Sequence, residues 1–101
     1  MDRFKDKVVL VTGGNRNTGL WLVKKFVDEG AKVFMCGSTA ASTAAGVEKL
    51  KGLKVEGVIA QACDVGDKAQ VNALMDLIEK EAGALDILVN NAADQGIGHG
   101  G

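Results

Sequence analysis

The residues of this chain best suited to chemistry lie in two short stretches, Thr12-Gly13-Gly14-Asn15-Arg16-Asn17-Thr18-Gly19 and Asn90-Asn91-Ala92-Ala93. The first carries little side-chain bulk, follows an apolar run and precedes a pattern of helical period. A turn of that kind lets backbone N–H groups and the positive end of a helix dipole meet a diphosphate. Gly13 and Gly19 are placed for that task. Glycines also simply make turns, so the strand before and the helix after are what favour nucleotide binding. Asn17 or Thr18 serves equally well as a helix N-cap. Taken singly, Asp64 reads as a turn residue, and Asn90 and Asn91 as strand terminators.

Groups suited to proton transfer are sparse. The sequence contains no tyrosine, and its one histidine, His99, lies in a glycine-rich tail. General acid–base catalysis needs a positioned group that titrates near neutrality, and one histidine makes no metal site. Ser42 and Thr43 fall within a predicted helix with no base in view, so nucleophilic catalysis is unsupported.

Several elements must position these residues. Lys7 to Thr12 is a continuous apolar, β-branched run ending at glycines, as expected of a strand covered on both faces. From Thr18, Leu20, Val23, Phe26 and Val27 recur at helical spacing, and Gly30 is placed to cap the end. Lys32 to Cys36 predicts a second strand, Thr39 to Leu50 a helix weakened at Gly46, and Val55 to Cys63 a third strand. Asp67 and Gln70 form a capping-box-like start to a helix with Val71, Leu74, Met75, Ile78 and Ala82 on one face. After Gly83, Leu85 to Val89 predicts a fourth strand. The order βαβαβαβ implies an α/β fold with a doubly wound parallel sheet, right-handed crossovers and strand order 3-2-1-4. Residues 1–93 form one Rossmann-like half-domain in this reading. Residues 94–101, with four glycines and no apolar period, form a loop or tail.

Composition narrows the partners. Hydrophobic residues make up 47% and charged residues 25% of the 101, the profile of a soluble globular chain. A net charge of −1 with mixed signs supplies no polycationic surface, so neither nucleic acid nor membrane is expected as a partner. Cys36 and Cys63 sit in apolar, strand-like runs and are read as reduced thiols of a cytoplasmic protein. The apolar run Val8 to Val11 is far too short for a signal core or a membrane span.

The spacing Thr-Gly-x-x-x-Gly-x-Gly resembles the short-chain dehydrogenase/reductase family. Thr12, Gly13 and Gly19 match it, and Asn17 stands where the family has its middle glycine. Asn90-Asn91-Ala92-Ala93 matches three of the four residues of the family's Asn-Asn-Ala-Gly. Asp64-Val65 matches its Asp-Val pair after the third strand, whose carboxylate accepts from the adenine amine. The resemblance covers residues 1 to about 93. It implies coenzyme contacts along the first turn (Thr12, Gly13, Asn15, Arg16, Asn17, Thr18, Gly19), at Ser38 and Thr39, at Asp64 and Val65, and at Asn90, Asn91 and Ala92. It further implies hydride transfer between a carbonyl and an alcohol. The family's Ser and Tyr-x-x-x-Lys, which follow the fourth strand, have no counterpart in the sequence, so small-molecule substrate is expected only if a further half is present.

Coenzyme preference rests on the end of the second strand. Sites that prefer NAD usually place an acidic residue there to accept from the ribose 2′-hydroxyl. Here Gly37, Ser38 and Thr39 follow instead, and no carboxylate would repel a 2′-phosphate. Arg16 occupies a slot where NADP-preferring relatives often carry a base, and a guanidinium suits phosphate. NADP is therefore favoured, with NAD possible. The absent acidic ligand also weighs against a methyltransferase of similar fold. A non-catalytic nucleotide-binding or interaction module is the alternative reading, because an open fourth-strand edge and a half-covered sheet face invite association, most simply as a homo-oligomer.

Overall fold

In the computed structural model, residues 3–13 and 17–91 are described, with backbone alone at Asn17. Seven elements follow in order: β1 (Val8–Thr12), α1 (Asn17–Asp28), β2 (Lys32–Cys36), α2 (Ala40–Gly52), β3 (Ile59–Ala60), α3 (Lys68–Ala82) and β4 (Ile87–Asn90). The strands form one parallel sheet in the order β3-β2-β1-β4, as expected.

The continuous apolar run of β1 has a direct structural cause. Its side chains alternate between two buried faces. Val9 and Val11, with Val33 and Met35 of β2, pack against Leu20 and Val23 of α1 and Leu50 of α2. Val8 and Leu10, with Phe34 and Cys36, pack against Leu74 and Ile78 of α3. A strand covered on both faces has no polar side to display, so its sequence shows no alternation.

Turn chemistry terminates the helices where the sequence indicates. Gly30, at φ +91°, ends α1: its N–H donates to Val27 O and the N–H of Ala31 to Phe26 O, the paired bonds of a Schellman motif. Thr39 caps α2 in a reciprocal box with Ser42. Asp67 caps α3 by accepting from the amides of Ala69 and Gln70.

The third strand is shorter than the predicted Val55 to Cys63. Lys54 and Gly57 take positive φ, and the N–H of Val55 bonds Leu50 O at the end of α2. Val55 is thus buried as the plug of a helix end, and pairing with β2 begins only at Ile59. Beta-branched residues alone do not distinguish these two environments. The fourth strand begins at Ile87; just before it the Asp86 N–H donates to Val8 O at 2.9 Å, while the Asp86 carboxylate, in place of a backbone carbonyl, accepts from the N–H of Val8 at 2.8 Å. As expected, β4 is an edge, and Leu88 remains 52% exposed. The tail 94–101 lies outside the described residues.

Candidate functional site

Parallel pairing brings the carboxyl ends of the strands together, where an open α/β sheet offers its crevice for ligands. Four segments meet there: Thr12-Gly13, Gly37-Ser38-Thr39, Cys63-Asp64-Val65 and Asn90-Asn91.

Gly13 leaves β1 at φ +70°, a conformation that favours glycine, and its N–H donates to Cys36 O at 2.9 Å. That bond carries the β1–β2 pairing one residue past Thr12. The buried Thr12 hydroxyl donates toward Asn90 Oδ1 at 3.1 Å and Val89 O at 3.3 Å. Asn91 Nδ2 donates to Gly13 O at 3.3 Å. Two stretches that are 78 residues apart in sequence are thus joined directly. Gly19 is buried in the first turn of α1 and Thr18 is exposed. Asn15, Arg16 and Ala92 lie outside the described residues, as does the side chain of Asn17.

Beyond β2, Gly37 is buried while Ser38 and Thr39 are exposed. The Thr39 hydroxyl is committed to its cap, accepting from the N–H of Ser42 at 3.1 Å. Sequence reasoning missed Thr43, whose hydroxyl accepts from the N–H of Gly37 and donates to Thr39 O. Its position four residues after a cap is the signal, because threonine there can reach back to the i−4 carbonyl.

After β3, Asp64 Oδ1 accepts from the N–H of Gly66 at 2.9 Å and Asp64 O accepts from the N–H of Asp67. Gln70 reaches out of α3 to accept from the N–H of Asp64 through Oε1 at 2.9 Å, while its Nε2 donates to Asp67 Oδ2. In a full capping box Gln70 would instead bond the cap's own amide; here it ties α3 to the residue carrying the carboxylate. Those hydrogen bonds, from the Gln70 side chain first and its backbone second, hold the Asp67 carboxyl below its ordinary value.

Cys36 and Cys63 lie side by side under the site as free, buried thiols. Burial, reinforced by Cys63, pushes Cys36 up to about 11. Burial, then the nearby Asp64 and Asp67, raises Cys63 as well. Such thiols behave as small apolar side chains.

An apolar cavity of about 290 Å³ adjoins the strand ends, lined in part by Leu10, Cys63, Val65, Leu74, Leu88 and Asn90. Val65 is 51% exposed at its rim. A larger surface depression of about 440 Å³ runs along α1 from Trp21 to its C-terminal end, among the ion pairs Lys24–Asp28 and Lys25–Glu29, and contains none of the site residues. Among the described residues no three of His, Cys, Asp and Glu gather as a metal site, and no helix is long and apolar enough to cross a membrane. At the carboxyl edge of the sheet, Gly13, which has no Cβ, the Asp64 carboxylate and the Asn90–Asn91 pair thus lie at neighbouring strand ends.

The chain matches the family model described as short chain dehydrogenase over residues 7–99. A 3alpha-hydroxysteroid dehydrogenase of Mediterraneibacter gnavus is 43% identical over 89 residues, which are 87% of this chain and 36% of the relative. An NADP-dependent (R)-specific alcohol dehydrogenase of Lentilactobacillus kefiri is 37% identical over 91 residues, 90% of this chain and 35% of that protein. The solved structure of a short chain dehydrogenase from Mycobacterium smegmatis superposes with a TM-score of 0.77 at 33% identity, covering 90% of this chain and 38% of that one. The chain therefore spans about a third of the length of the relatives it matches.

Proposed function

Since the chain belongs to the short-chain dehydrogenase/reductase family, we propose that it is the coenzyme-binding half of an NAD(P)(H)-dependent oxidoreductase interconverting carbonyl and alcohol. One observation carries the assignment of the site: Thr12 and Gly13 are hydrogen-bonded to Asn90 and Asn91 at the carboxyl edge of the sheet. Neither bond is needed to form a strand or a helix. Together they close the glycine turn against β4.

In this reading Gly13, Asn15, Arg16, Asn17, Thr18 and Gly19 hold the diphosphate. Asp64 and Val65 hold the adenine side, and Asn90, Asn91 and Ala92 flank the path toward the nicotinamide. When bound, the coenzyme supplies or takes up the hydride. The chain's own residues bind and orient it, and the proton-transfer groups are proposed to come from residues outside this sequence, as is the pocket for the small-molecule substrate. Gly37 presents no carboxylate to a 2′-phosphate, and Arg16 adds a positive charge, so NADP is the proposed coenzyme. The NADP-dependent Lentilactobacillus relative supports the same choice. The exposed Leu88 edge supports self-association of the isolated chain, and the buried free thiols support a cytoplasmic setting.

Calorimetric titration of the folded chain with NADPH, NADH and S-adenosylmethionine tests this. Heat with the reduced coenzymes, stronger for NADPH, and no turnover of carbonyl compounds is the expected outcome. A chain that binds none of the three is an interaction module, and sedimentation then reports its assembly.

A further inference from the structure

Resting on the dinucleotide reading above, we propose that Thr43 is a positioning residue that sets coenzyme preference by holding the Gly37–Thr39 turn in a single shape. One hydroxyl spans that turn. Thr43 Oγ1 accepts from the N–H of Gly37 at 3.1 Å, at the exit from β2, and donates to Thr39 O at 2.7 Å, at the entry to α2. The first and last residues of the turn are therefore fastened to the same atom. Thr43 is only 6% exposed and Gly37 is buried, so water does not replace the hydroxyl without the turn opening.

The strain of opening would also spread. Gly37 O accepts from the N–H of Cys63 at 2.8 Å, and Cys63 immediately precedes Asp64. Cys36 O, one residue earlier, accepts from the N–H of Gly13. The end of β2 is thus the point where the diphosphate turn, the ribose-side turn and the adenine-side turn are tied together. Among the described residues, the Thr43 hydroxyl is the side-chain partner of the Gly37 amide. The exposed residues of the ribose-side turn, Ser38 and Thr39, occupy the place where dinucleotide folds read the ribose 2′ substituent. A shift there alters the fit of a 2′-phosphate before it alters the fit of the shared diphosphate.

Valine matches threonine in shape and removes only the hydroxyl, whereas serine retains it. The experiment measures NADPH and NADH affinity of the full chain and its T43V and T43S variants, together with amide hydrogen exchange at Gly37. In T43V the NADPH-to-NADH affinity ratio should fall about tenfold with NADH binding nearly unchanged, and Gly37 exchange should quicken by a similar factor. T43S should keep both properties within about twofold of the parent. An unchanged ratio in folded T43V, equal weakening of both coenzymes, or no rescue by serine would overturn the role of Thr43 while leaving the site intact. Should T43V melt too low to titrate, T43A is read in the same way, and rapid Gly37 exchange in the parent chain refutes the clamp. A parent chain that binds neither coenzyme yet protects the Gly37 amide instead refutes the dinucleotide reading, and with it the coenzyme role.

Discussion

Replacing Asn91 with aspartate tests the joint between β4 and the glycine turn. The change swaps an amide donor for a carboxylate of nearly the same size. Asn91 Nδ2 donates to Gly13 O at 3.3 Å from a half-buried position. Losing a bond of this kind costs about 1 kcal/mol. The carboxylate adds repulsion: a unit charge facing about half a charge at that separation repels by roughly 2–3 kcal/mol at an effective dielectric of about 20, and rotation toward solvent relieves about two-thirds of it. The total is about 2 kcal/mol, or roughly 10 °C in the thermal midpoint of a domain this small. Asn91→Ala loses the bond without adding charge and should fall about half as far. The pH dependence separates the two terms. A carboxyl beside a carbonyl oxygen ionises less readily in the folded chain than in the unfolded one, so its folded pKa is raised. The folded state then holds the proton more tightly, and stability rises as pH falls. The penalty is complete above the folded pKa and gone below the unfolded value of about 4. Thermal melts of N91D and N91A at pH 7 and in steps to pH 4 should show a gap that closes. A gap that is absent at neutral pH, or that does not narrow on acidification, would show that Asn91 does not face the glycine turn.

Three further outcomes follow from the same geometry. Cys36, pushed up to about 11, and the buried Cys63 should react with a thiol reagent at pH 8 only after denaturation; rapid labelling of native protein would contradict their burial. Asp67, held below its ordinary value by Gln70, contributes stability that is present above the unfolded carboxyl pKa and is lost as pH falls through the folded one. Accordingly D67N, which keeps a cap but cannot ionise, should show a flatter acid limb than the parent in melts between pH 2.5 and 7, and D67A should be less stable than D67N at neutrality; identical acid limbs would remove Asp67 from the account. Phe34, fully buried between β2 and α3, should cost about 3–5 kcal/mol on change to alanine. That approaches the whole stability of a small domain, so a urea titration should find F34A largely unfolded without denaturant, and a cooperative midpoint near that of the parent would refute this packing.

Much of the fold was legible because its signals are short-ranged. Val8 to Val11 announced a strand buried on both faces, Gly30 announced a helix end, and Asp67 announced a helix start. Each depends on neighbours within a few residues. The third strand was misjudged where that ceases to hold. Val55 has a strand-former's side chain, but its burial comes from closing the end of α2, and no local pattern separates that environment from a sheet. The site divided in the same way. Gly13 stood out by residue type, whereas Thr43 resembled any other polar residue on a helix until Gly37 was seen to face it. Gln70 was legible as a partner of Asp67, which its Nε2 does bond, but its reach to the amide of Asp64 was not.

Element type, element order and the absence of a strong charge field belong to the sequence alone, since backbone propensity, apolar period and capping act over a turn or two. Which atoms meet at the carboxyl edge was decided by tertiary structure. The sheet order places β4 beside β1, parallel register sets Asn90 opposite Thr12, and only then do hydroxyl, amide and carbonyl groups 78 residues apart come within hydrogen-bonding distance. Hydrogen bonds are directional and short, so their partners are chosen by the packed arrangement of the whole sheet rather than by any segment of it.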